Sequence, residues 1–179
     1  MATAVSSPSG GPSSRADGAT TPEAIEKRVN GHFNNVASCV RRSVFAQVSF
    51  PRIDFGEDLA WGVRMLELGH AIVYQPASVV VHSHATHLAE DYRRHRADAV
   101  LMHRLFGFRN RPNLKSAVLA YLGEVRKDLH YVACVDCHHR LHYALLSPIL
   151  RAVQIAGQCA GSRGDRPAPP AWSSEMETP

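Results

Sequence analysis

The stretch DFGEDLAWGVRMLELGHAIVYQPASVVVHSH, residues 54–84, decides how this chain is read. It opens on two adjacent carboxylates, Glu57 and Asp58, and closes on two histidines, His82 and His84, that flank a serine. Leu59, Val63 and Leu66 follow the acid pair at i, i+4 and i+7, a spacing that predicts one face of a helix. Gly69 stands where a left-handed helix end is expected. AIVYQ (residues 71–75) and SVVVH (residues 78–82) are β-branched and bounded by Pro76, so each reads as a strand.

Each pair has a plain explanation and a chemical one. The free amides and dipole at a helix start favour negative charge, so Glu57 and Asp58 suit an ordinary surface helix. A carboxylate held there beside a cleft, ionised at neutral pH, also suits a general base. His82 and His84, two apart, share one side of a strand or leave it together into one loop. That suits a strand end meeting solvent, and equally a contact to metal or phosphate.

Upstream, FNNVASCVRRSVFAQVSFP runs from Phe33 to Pro51, and its Val44, Phe45 and Val48 predict one short amphipathic helix. Downstream, residues 85–157 read as wholly helical. Leu88 and Tyr92 open a stripe that continues through Ala99 and Phe106. Leu114, Val118, Leu122, Val125 and Leu129 form a clearer one. Leu141, Leu145 and Ile149 form a third, which Pro148 strains in its last turn. The first 22 residues are rich in Ser, Pro, Gly, Ala and Thr, too poor in large apolar groups to offset their ordering entropy. The division expected is a disordered segment at 1–28, one domain at 29–110, a helical extension at 111–160 and a Pro-rich disordered tail at 161–179.

Glu57, Asp58, Trp61, Arg64, Gly69, Tyr74, Pro76, Val80, His82 and His84, taken in order, resemble the C-terminal half of the catalytic domain of family 2 glycosyltransferases. The nearest flavour is the rhamnosyltransferase-like branch that builds bacterial surface polysaccharides. The asparagine, small residues, arginine and Phe-Pro stop of residues 33–51 fit the same family, and the similarity covers about Phe33 to Gly107. The resemblance implies an α/β chain: the acceptor-side half of a GT-A fold, followed by helices. It implies an inverting transfer from a nucleotide-sugar donor to a saccharide or lipid-linked acceptor. Asp58 would take the acceptor proton, and Glu57 would orient the acceptor or Asp58. Asn35, Trp61 and Arg64 would line the acceptor site, although Trp61 also suits helix packing and Arg64 a surface ion pair. His82 or His84 would join a divalent metal (Mg or Mn) or the diphosphate.

Such enzymes begin with a nucleotide-binding half of alternating strands and helices that ends in an Asp-x-Asp motif. Nothing before Phe33 supplies it, and no Asp-x-Asp occurs in the chain. The expectation is a fragment: a piece of a longer gene product, a chain completed by a partner, or one that has lost activity.

A net charge of +4 and a pI near 9.1 suit a surface that meets phosphate or anionic lipid without demanding nucleic acid. The four cysteines form no secreted framework, and neither a signal sequence nor a long apolar run is present. The expected place is the cytoplasm, with peripheral contact at the inner face of an anionic membrane. The basic stretch from Asp91 to Arg111, interleaved with aromatics, reads as a solvated helix or one lying on lipid, with nucleic-acid binding not expected. CVDCHHRLH sets Cys134, Cys137, His138 and His142 at i, i+3, i+4 and i+8. It has the spacing of haem attachment, which needs export, and donors suited to zinc. A basic helical binding module with a zinc or anion site at Cys134, Cys137 and His138 is therefore the second class. Arg163-Gly164-Asp165 reads as a chance match to an adhesion motif.

Overall fold

The acid pair does begin a helix. Glu57 and Asp58 occupy the first turn of a helix at Glu57–Glu67. Gly56 enters it at φ 72°, a conformation that calls for glycine, and a Cβ there would also displace the tip of the Leu101 side chain. Its far end closes at Gly69, where the Gly69 amide donates to the Leu66 carbonyl and the His70 amide to that of Met65. This is the reciprocal pattern that ends helices on a left-handed glycine.

The computed structural model describes residues 22–53, 55–82, 87–135 and 138–163. In chain order the helices are α1 (Pro22–Asn30), α2 (Arg42–Gln47), α3 (Glu57–Glu67), α4 (Leu88–Phe106), α5 (Leu114–Cys134) and α6 (Arg140–Gly161), with a 3-10 turn at Asn35–Ala37. Of the segments expected to be disordered, 1–28 and 161–179, residues 1–21 and 164–179 lie outside the described residues, whereas α1 already begins at Pro22 and α6 reaches Gly161.

The α/β expectation is overturned. Among the described residues there is no strand and no sheet, so the partial GT-A fold gives way to a helical architecture. AIVYQ and SVVVH flank a turn at Gln75–Ser78 but form no ladder. Val73 and Tyr74 are 85% and 86% exposed, and Val79 and Val81 are exposed as well. Strand propensity reflects packing on a half-buried sheet, and an isolated hairpin is marginal in water. No further strand is present among the described residues to pair with these two.

The core is built from helices. Val63 of α3 meets Met102 and Phe106 of α4, with Ala24, Leu59, Leu105 and Phe108 packed around them. The most extensive contact is α4 with α6, followed by α5 with α6, so α6 lies between the two; α1 touches α3 and α4. Gly157 and Gly161, one turn apart on α6, allow its backbone close to α4. The proline expected to strain the last turn of the third stripe lies inside α6, which runs through it to Gly161. Among the described residues, no helix is long and apolar enough to cross a membrane.

Residues flanking Pro148 tie α6 to α5. The Asp128 carboxylate accepts from Arg151 Nη2 at 2.7 Å, from Arg151 Nε at 2.8 Å and from the Ser147 hydroxyl. The Arg151 guanidinium holds the Asp128 carboxyl below its ordinary value, helped by the Ser147 bond and opposed by desolvation. A depressed carboxyl contributes stability above the unfolded value, about 3.9, and loses it as pH falls through the folded one. Asp128→Asn is therefore expected to cost about 1–2 kcal/mol at neutral pH. Thermal melts should show that difference shrinking below the ordinary carboxylate range.

Candidate functional site

The 3-10 turn and the start of α3 come together. Asn34 accepts from the Val36 amide at 2.9 Å, which fixes the turn. Asn35 then donates from Nδ2 to Glu57 Oε1 at 3.0 Å, joining residues 22 positions apart. Asp58 stands beside Glu57, half-buried, its Oδ1 accepting from the Leu59 amide at 2.8 Å. The helix start thus holds two carboxylates, one oriented by a side-chain amide and one by the backbone.

An aromatic cluster holds the incoming loop on α3. Trp61 is 4% exposed, and its Nε1 donates to the Val48 carbonyl at 2.8 Å. Its ring lies 5.0 Å from Phe33 and 5.3 Å from Phe50, and Phe45 completes the set 5.5 Å from Phe50. Such offset aromatic contacts add specificity to apolar burial. The sequence reading did not group these three phenylalanines. The available signal was three large rings within the segment that precedes the acid pair.

The other expected site residues fall less close together. Trp61 is turned into the cluster. Arg64 Nη1 lies 3.7 Å from Glu67 Oε2, and Glu67 also lies 3.8 Å from Lys27 of α1. His82 is exposed at the end of the extended segment, and His84 lies outside the described residues. Glu57 accepts from Asn35 and Asp58 from the Leu59 amide. Of the expected site residues, Asn35 and Glu57 are joined directly, with Asp58 beside Glu57 in the first turn of α3.

Among the described residues no group of three or more His, Cys, Asp or Glu side chains gathers as a metal site. In the second candidate region, Cys134 Sγ lies 3.7 Å from His130 Nε2, and the His138 and His139 rings pack edge-on at 5.1 Å. Cys137 lies outside the described residues. The perturbed titrations on α4 have another cause: burial pushes the Asp98 carboxyl up and the His95 imidazole down.

No family model, no curated protein and no solved structure matches this chain.

Proposed function

We propose that this chain supplies the acceptor-activating carboxylates of an inverting sugar transfer in the synthesis of a cell-surface polysaccharide. One contact carries the reading: the hydrogen bond from Asn35 to Glu57. It joins two positions that the resemblance to family 2 glycosyltransferases assigns to one site from separate segments.

The chemistry follows from the two carboxylates. Glu57, oriented by Asn35, accepts a hydrogen bond from a hydroxyl of the acceptor sugar. Asp58 removes the proton of the reacting hydroxyl as that oxygen bonds to the anomeric carbon of the donor. The bond from that carbon to the nucleoside diphosphate breaks, and the diphosphate leaves with the electron pair. Attack from the face opposite the leaving group inverts the configuration, and the proton ends on Asp58.

The chain fused behind the donor-binding half of a family 2 glycosyltransferase, given nucleotide-sugar and oligosaccharide acceptor, tests this reading. A glycoside of inverted anomeric configuration is expected, read from proton NMR couplings. Retained configuration, or no product beyond that of the donor half alone, overturns it.

A further inference from the structure

The apolar stripes of α5 and α6 look built for burial, yet much of each is open. Leu114, Val118, Leu122 and Leu129 on α5 are exposed, as are Leu141 (74%), Leu145 (65%) and Ile149 on α6. Their spacing places each set along one face of its helix. The two faces join, because Val118 and Tyr121 of α5 and Ala152 and Ala156 of α6 line one apolar groove. On its other sides α6 packs against α4 and α5.

Charge frames this face and is kept off it. Glu124 and Asp128, the carboxylates of α5, face the seam, where they pair with Arg151 and Lys127, and α6 carries no acid along its 22 residues. At one end Arg109, Arg111 and Arg163 line a cleft of about 400 Å³ that shares Ala117 and Cys159 with the groove. The capped N-terminus of α5 at Asn113 opens on the same cleft, adding the positive end of a helix dipole. Near the other end stand His138, His139, Arg140 and His142.

This pattern selects among occupants. A second copy docked face to face would set basic ends against basic ends, with no described carboxylate on the face to answer them. A lipid surface answers both features, since acyl chains meet the leucines while phosphates meet the arginines. The basic stretch read from sequence as a solvated helix or a lipid contact is α4, which buries Ala99, Leu101, Met102 and Phe106. We propose that the α5–α6 face seats the protein on an anionic phospholipid membrane, independently of the sugar-transfer reading.

Sedimentation of the full chain with vesicles tests this, using phosphatidylcholine alone or with phosphatidylglycerol added. Binding to the anionic vesicles is expected, weakening as salt rises. Arg109→Gln with Arg163→Gln should weaken it roughly fivefold per arginine. Leu145→Glu with Ile149→Glu should weaken it more than about a hundredfold. Both leucine-face positions are exposed, so circular dichroism and melting should match the parent; if that protein unfolds, Val118→Glu repeats the test from α5. Undiminished binding by a folded face variant, or equal binding to neutral vesicles, overturns the proposal. A dimer that the face variant separates, with no vesicle binding by the parent, assigns the face to a second copy and overturns it too.

Discussion

Asp58→Asn is expected to slow sugar transfer about a thousandfold in the donor-fused protein, with little change in acceptor KM. Asparagine keeps the size of aspartate, and its side-chain oxygen can still accept from the Leu59 amide that holds Asp58. What it loses is the capacity to take a proton. The effect should therefore fall on kcat, because the interaction removed exists only as the acceptor hydroxyl is deprotonated. Losing one negative charge from the first turn of α3 costs at most about 1 kcal/mol of stability, so the protein remains folded. Glu57→Gln is the informative companion. Its amide oxygen still accepts from Asn35, so positioning survives in part, and the loss should show mainly in KM. Undiminished kcat in the Asp58 variant removes it as the base.

Gly157→Val is expected to destabilise the protein by about 3 kcal/mol or more. A Cβ at Gly157 would sit 2.6 Å from the Tyr92 carbonyl oxygen and 3.1 Å from His95 Cβ. At Gly161, one turn on, it would press on the Arg96 carbonyl and lie 2.8 Å from Ala99 Cβ. These obstacles are backbone and Cβ atoms of α4, not the tips of flexible side chains, so α6 must move bodily away. Small domains hold only about 5–15 kcal/mol in all, which makes this a large share. Gly123→Ala is the matched control on α5. Nothing lies within 4 Å of a Cβ there, so the helix-propensity gain of up to about 1 kcal/mol should appear as added stability. Urea unfolding of the three proteins measures both shifts.

Helices were legible where local chemistry decides them. The acid pair, the periodicity of Leu59, Val63 and Leu66, and Gly69 together mark α3 at both ends. Val44, Phe45 and Val48 mark α2, and the long stripes mark α5 and α6. The strands were misread because β-branched residues report a preference for sheets, not the presence of a neighbour to pair with. The stripes of α5 and α6 were misleading in a related way. Periodicity shows that apolar residues share a face, but whether anything covers it is a tertiary matter, and Leu141 and Leu145 remain open. Pro148 read as a strain in the last turn of its stripe, yet the helix continues through it, with Ser147 and Arg151 on either side anchored to Asp128. In the site, Glu57 and Asp58 were legible as a helix-starting pair. Asn35 came to the same site only through the family resemblance, since no local rule links positions 22 apart. The ring cluster around Trp61 was not foreseen, because it forms only once the loop folds back on α3.

Ligand-observed NMR of the chain titrated with oligosaccharide acceptors, without donor or metal, probes the acid pair most directly. Saturation transfer to the protons on the acceptor's hydroxyl-bearing carbons is expected for the parent, and Asn35→Ala should weaken binding about fivefold by releasing Glu57 from its 3.0 Å hydrogen bond. Equal transfer in the parent, in Asn35→Ala and in a Glu57→Ala, Asp58→Ala double variant would contradict the claim that these carboxylates receive the sugar.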